Sequence, residues 1–411
     1  MRNKKIFVSA YACEPYKGSE IGVGWNWILQ MSKQFELWVL TRENNKEPIE
    51  QYLREHPEDD HGIHFVYFDL PDWIIRWKKQ MRGIYLYYPL WTRVSRKIAD
   101  QIIQENNIHI YHQLTYGNAL WRVNPIVKDM VFIWGPIGGL ETIPGEYIKH
   151  YSFKSRIIEN GRHALVKVVS LLPGFQYRCK AADVILCKTS STWEKIPERY
   201  RKKAMLFTDV AADVSANITV TATTDAGGDV TFISVGRLDG WRGFDLLFEA
   251  FAQACLTTDK SLKLRVLGAG KEKKRLISLI TKLGMTQNII LLGNVPMEQY
   301  RQEMQYCDVV LNACLKEGGV TTAFDCISYG KPLVCLDTGG YTTNFDDSCA
   351  VIIPRQNRTD VINAFAQSII SMTSSKLRKQ YGDGMKRRAS DMSWNVKGET
   401  INKMLMKLLS T

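Results

Sequence analysis

The sequence predicts an α/β protein built as two Rossmann-like domains facing one another across a cleft. Three observations predict it. The chain has 411 residues, 45% of them hydrophobic, so it is longer than one typical domain and can bury two cores. Short apolar, β-branched runs alternate with helix-length stretches. A threonine-rich, low-charge segment at 211–228, AADVSANITVTATTDAGG, breaks that alternation midway and reads as a linker.

In the first series the strand-like runs are 5–11, 35–42, 63–70, 108–114, 130–137 and 183–189, which assigns an N-terminal domain to residues 1–210. The second series, 230–237, 262–270, 288–295, 308–314, 331–337 and 350–354, assigns a C-terminal domain to 229–393. Each run of the second series is short and β-branched, so each is expected to be buried on both faces. Residues 393–409, SWNVKGETINKMLMKLL, carry apolar residues at helical spacing behind a serine cap and predict a last helix. At the other end, MRNKKIFVSAYAC mimics a lipoprotein signal, with basic residues, an apolar run and a small-x-Cys tripeptide. Its continuation into a glycine loop and a helix favours a first strand instead. No stretch approaches the ~18 apolar residues of a membrane span.

Composition narrows the partners. A formal net charge of +12 suits an anionic partner, whether nucleic acid, an acidic membrane surface or a phosphorylated ligand, and equally suits a merely basic exterior. Nine cysteines are scattered without a C-x-x-C pair, so neither a zinc site nor a disulfide framework is expected, and a reducing cytoplasm fits best. Residues 72–98 interleave Trp73, Trp77, Tyr85, Tyr87, Tyr88 and Trp91 with Arg76, Lys78, Lys79, Arg82, Arg93, Arg96 and Lys97. Rings with cations suit an anionic membrane interface, and a second basic, apolar stretch follows at 147–180. An amphipathic helix packed on the sheet explains 72–98 as well. The clustering is confined and no nucleic-acid motif is present, so no nucleic acid is expected.

In open α/β sheets the loops beyond the strand ends carry the chemistry. EPYKGSEIGVGWNW, 14–27, brings Gly22 and Gly24 toward a helix start, where glycines permit close approach and free amides suit an anion. A simple turn is the blander reading. VGRLDGWRGFDLL, 235–247, places Arg237 and Arg242 to grip a diphosphate bidentately, with Gly236 and Gly268 at strand ends beside them. Two solvated arginines are the alternative. LKEGGVTTAFDCISYGKPLVCLD, 315–337, sets Glu317, Gly318 and Gly319 before a helix beginning near Val320. That helix start would aim the amides of Val320, Thr321 and Thr322 at a phosphate, with Asp325 about one and a half turns on, ~8 Å away and suited to a ribose. A capping and dipole pair explains either carboxylate alone.

Together these residues resemble the retaining GT-B glycosyltransferases known as family 4. EGGVTTAFDCISYGKPLVCLD resembles the E-x7-E signature, with Asp325 where the second Glu is usual. VGRLDGWRGFDLL resembles VGRL-x-x-x-KG-x-DLL, with Arg242 in place of the lysine. SAYACEPYKGSEIGVGWNW, YHQLTYGNALWRV and VFIWGPIGG are similar to one bacterial branch. The resemblance runs from about residue 5 to 355. It implies transfer of a sugar, with retention, from a UDP-type or GDP-type nucleotide-diphosphate sugar to a saccharide or lipid-linked acceptor in cell-surface polysaccharide or glycolipid synthesis. No cofactor is implied, and a metal is not usually required.

By that resemblance Arg237 and Arg242 neutralise the diphosphate, Glu317 contacts sugar hydroxyls, Asp325 binds the ribose, and His112 lies near sugar and acceptor. A last helix, 394–411, crosses back to the first domain. The expected location is the cytoplasm, peripheral on the inner face of the membrane. A nucleotide-sugar epimerase of the same fold and a non-enzymatic basic membrane or nucleic-acid binder remain the competing readings.

Overall fold

A computed structural model of the chain describes residues 4–76, 83–121, 123, 130–151, 153–214, 229–316 and 320–408. The chain forms two compact units. The first comprises Met1–Leu140, Val168–Asp209 and Trp394–Thr411, the second Glu141–Lys167 and Val210–Ser393.

In the first unit seven strands form a parallel sheet: β1 (Lys5–Ser9), β2 (Glu36–Thr41), β3 (Ile63–Tyr67), β4 (Ile110–Gln113), β5 (Val131–Ile137), β6 (Val184–Cys187) and β7 (Ala204–Leu206). Their order is β3-β2-β1-β4-β5-β6-β7. The segment that mimics a signal is therefore an interior strand of this sheet. Ile6, Phe7 and Val8 are fully buried, as a strand with neighbours on both edges requires. Strand β7 has no counterpart among the six predicted runs. It is three residues long, Met205 and Leu206 are exposed, and a basic turn precedes it, so periodicity has nothing to register.

Helix Ser19–Ser32 buries Trp27 completely, and the Trp27 indole donates to the Asp209 carbonyl at 2.8 Å. Helix Trp394–Leu408 packs against it: Asn402 donates to the Gln30 carbonyl at 2.9 Å, and Gly398 leaves room for the Gln30 side chain.

In the second unit six parallel strands, β8 (Val230–Val235), β9 (Leu262–Leu267), β10 (Ile289–Gly293), β11 (Val309–Asn312), β12 (Leu333–Leu336) and β13 (Ala350–Ile353), run in the order β10-β9-β8-β11-β12-β13. Phe232, Phe248, Phe251, Leu264 and Leu311 fill the core. The expectation of burial on both faces fails for β10, an edge strand left half-exposed beyond Ile289.

Residues 141–167, placed by the sequence in the N-terminal domain, pack with this second unit. Ile143, Tyr147, Ile148 and Tyr151 join its core, the Tyr147 hydroxyl donates to the Gln356 carbonyl, and Arg355 donates to the Thr142 carbonyl at 3.2 Å. Of the expected linker, 211–228, Ala211 and Ala212 are buried, and Ala212 bridges Ser393; residues 215–228 lie outside the described residues. Strand order reverses between β1 and β4 and again between β8 and β11. Those two switch points position the candidate site residues.

Candidate functional site

At the β8/β11 switch point the two predicted arginines come together around a third residue. Arg237 follows β8 with its side chain 59% exposed and only a loose 3.4 Å pairing to Asp239. A single 3-10 turn, Gly240–Arg242, carries Trp241 and Arg242. The Trp241 ring gathers three cations: Arg242 at 4.3 Å, Arg237 at 5.8 Å and Lys316, beyond β11, at 5.6 Å. Cations at that range are attracted by the ring quadrupole and held near one another despite their mutual repulsion.

Lys316 and Trp241 are the residues sequence reasoning missed here, although both stand inside quoted motifs. Lys316 ion-pairs with Glu159 at 2.5 Å, from helix Phe153–Val168. Burial pulls its ammonium below the usual lysine range, Arg162 adds to that, and Glu159 opposes it. A Cβ on Gly268 would stand 2.0 Å from the Gly236 carbonyl, so this glycine pair lets the ends of β8 and β9 close on each other.

Glu317, Gly318 and Gly319 lie outside the described residues. The helix after them is Thr321–Tyr329, capped by the buried Val320. Its first amides, those of Thr321 and Thr322, lack intrahelical acceptors by geometry and sit at the positive end of the helix dipole. Asp325 is about one turn from that start, ~6 Å at 1.5 Å per residue, closer than the sequence suggests. Its Oδ2 accepts from the Tyr300 hydroxyl at 2.5 Å. Burial lifts the Asp325 carboxyl from 3.8 to about 6; the Tyr300 hydrogen bond opposes the shift and Asp213 adds to it. Tyr300 stands on helix Met297–Tyr306, and no sequence signal marks it.

In the first unit the structure places His112, Gly22 and Gly24 as follows. His112 lies within β4 with no exposed surface. Its Nε2 donates to the Gly135 carbonyl at 2.7 Å, its ring meets Trp27 edge to face at 5.6 Å, and burial depresses it to about 4, so it is neutral at pH 7. The ring expected near sugar and acceptor is enclosed in the sheet. Gly22 and Gly24 lie inside helix Ser19–Ser32 rather than in the loop before it. A Cβ there would stand 1.9 Å from the Lys17 carbonyl and 2.1 Å from that of Ala12, so what approaches these glycines closely is the chain itself.

A cluster the sequence reading passed over occupies the ends of β1 to β3. Arg42 pairs with Asp69 through Nε and Nη2 at 3.2 and 3.0 Å, the Tyr87 hydroxyl donates to the same carboxylate, and the guanidinium lies 5.2 Å from the Tyr11 ring. Tyr11 in turn meets Tyr88, Trp91 and Tyr116 edge to face at 4.5 to 5.1 Å. A charge at the end of each apolar run, Arg42 and Asp69, was the available signal.

The aromatic and basic segment divides. Tyr87, Tyr88 and Trp91 are core residues, which removes half of its aromatics from any surface role. Trp77, Lys78, Lys79 and Arg82 lie outside the described residues. Trp73 is exposed, and helix Ile84–Glu105 exposes Tyr85, Leu86, Leu90 and Val94 beside Arg93 and Lys97. Among the described residues no helix is long and apolar enough to cross a membrane, and no group of three or more His, Cys, Asp or Glu residues could hold a metal.

Comparison with known proteins bears on the second unit most directly. Residues 221–388 match the family described as Glycosyl transferases group 1. An uncharacterized glycosyltransferase of Methanocaldococcus jannaschii is 25% identical over 192 residues, which are 44% of this chain and 46% of that protein, so the match spans about half of each. Among solved structures, the apo form of the lipopolysaccharide outer core galactosyltransferase WaaB aligns over 98% of this chain and 99% of its own, with a TM-score of 0.61 and 14% identity. HepE of Anabaena, solved with UDP and glucose, aligns over 99% of both chains with a TM-score of 0.59 and 13% identity. These likenesses show the fold, a two-domain GT-B architecture.

Proposed function

We propose that this chain, whose residues 221–388 match the glycosyl transferases group 1 family and whose fold is GT-B, moves a sugar from a nucleoside diphosphate sugar to a hydroxyl of a saccharide or lipid-linked acceptor, with retention of configuration. The observation that carries the reading is the gathering of Arg237, Arg242 and Lys316 around Trp241 at the β8/β11 switch point. Arg237 and Arg242 lie against one ring just beyond β8, with the Lys316–Glu159 pair beside them, and two guanidinium groups so placed suit the diphosphate that glycosyl transfer releases. The helix start at Thr321 adds amide donors on the same crevice, and Asp325 is the carboxylate suited to a ribose.

In the transfer the bond from the anomeric carbon to the diphosphate oxygen breaks and a bond to the acceptor oxygen forms on the same face. The acceptor proton passes to the departing diphosphate, so neither Glu317 nor Asp325 serves as a glycosidase-style nucleophile. The reaction needs no cofactor in this reading and no metal at the diphosphate, because the guanidinium groups of Arg237 and Arg242 supply the counter-charge. A lipid-linked acceptor fits the exposed face of helix Ile84–Glu105, whose Leu86, Leu90 and Val94 lie beside Arg93 and Lys97, as an anionic membrane surface would require.

Thermal shift of the intact chain with UDP, GDP, ADP and their sugars tests the donor site, since a bound ligand stabilises by mass action. One nucleotide class is expected to raise the melting temperature, and the double variant Arg237→Ala with Arg242→Ala to abolish the rise. A rise that survives in the double variant overturns the diphosphate assignment.

A further inference from the structure

Asp325 and Tyr300 come from different crossovers of the second sheet, one on the helix after β11 and the other on the helix after β10. Both side chains are half-buried, and the phenol donates to Oδ2 of the carboxylate at 2.5 Å. Among the described residues Oδ1 accepts no hydrogen bond. A carboxylate with both oxygens available can take the two hydroxyls of a cis-diol together, one on each oxygen. Here the phenol engages one acceptor site of Oδ2 and fixes the plane of the group, which leaves Oδ1 as the oxygen that no protein donor engages among the described residues. Burial drives the Tyr300 phenol well above its ordinary range, with Asp325 adding, so the phenol keeps its proton at neutral pH and cannot exchange roles with the carboxylate.

We propose that Tyr300 is a positioning residue that makes Asp325 a single-oxygen acceptor, so that the site reads one ribose hydroxyl of the nucleoside diphosphate and ignores its neighbour. The proposal rests on the donor-site reading above. It narrows the substrate class: one of the two ribose hydroxyls is dispensable, and a donor deoxygenated at that position is as good a ligand as its ribose parent.

The test is calorimetric binding to the intact chain of UDP and GDP, each with its 2′-deoxy and 3′-deoxy analogues. For the wild type, one analogue is expected to bind within about threefold of its parent and the other about tenfold more weakly, the scale of one lost contact to a charged acceptor. In Tyr300→Phe, which keeps the ring and frees Oδ2, both analogues are expected to lose about tenfold. Removing the phenol also removes a hydrogen bond that favours the ionised carboxylate, so the acid-side loss of affinity is expected to begin at higher pH in Tyr300→Phe; a purely structural role for the ring would not move it.

Loss with both analogues in the wild type, loss with neither, or an unchanged pattern in Tyr300→Phe overturns the proposal while leaving nucleotide binding intact. Failure of the wild type to bind either parent nucleotide overturns the donor-site reading itself, and this inference with it.

Discussion

Asp325 holds an acid in surroundings that resist its charge, and that has a consequence for stability. With its carboxyl lifted from 3.8 to about 6, the native state keeps a proton that the unfolded chain has already lost between those pH values. Stability associated with this group is therefore complete below pH ~4 and lost as pH rises through ~6. Asp325→Asn removes the penalty while leaving an oxygen for Tyr300. It is expected to raise the melting temperature at pH 7.5 by a few degrees, an effect of about 1–2 kcal/mol after allowance for partial exposure, and to leave it unchanged at pH 4. Melting curves at the two pH values check this. At this scale legibility followed chain locality. Arg237 and Arg242 were legible as a pair because both stand in one short loop directly beyond β8. Tyr300 could not, because its only distinguishing contact is with a residue 25 positions away on another helix.

Among the elements, strands showed most clearly, because a parallel sheet buried on both faces needs continuous apolar runs such as KIFVS and VVLN. Strand β7 and the exposed part of β10 were lost for the converse reason, since edge position removes that requirement. Helix Ile84–Glu105 shows where a compositional reading stops. Its aromatics look alike in sequence, yet Tyr88 and Trp91 complete the Tyr11 cluster while Tyr85 faces out and stacks on Trp121 at 5.2 Å. Rotation about the helix axis decides, and periodicity fixes that only loosely when a Pro89 interrupts the helix. If the outer face meets acidic lipid, Leu86→Ser with Leu90→Ser should reduce co-sedimentation with anionic vesicles, and Arg93→Gln with Lys97→Gln should make the residual binding insensitive to salt. Equal binding to neutral and anionic vesicles by the wild type would count against that surface.

At the scale of the molecule, the division of the chain departs most from a linear reading. Composition marked a break after residue 210, but nothing in 141–167 announces that Tyr147 and Tyr151 belong to the second core, because an apolar helix face does not say which sheet it will cover. The first unit is assembled from three separate segments, and its last, Trp394–Leu408, covers helix Ser19–Ser32 and anchors Lys397 on the Thr208 carbonyl at 2.6 Å. A chain ending at Ser393 is expected to unfold its first unit at a lower temperature than the second, splitting one melting transition into two, as calorimetry would record. The same interleaving sets an order of events during synthesis. The second unit has all its residues once Ser393 has emerged from the ribosome, whereas the first, begun earlier, is still missing its closing helix. At ~5–20 residues per second, its opening segments wait roughly ten to fifty seconds for that helix, so the half of the protein translated first is the half that finishes folding last.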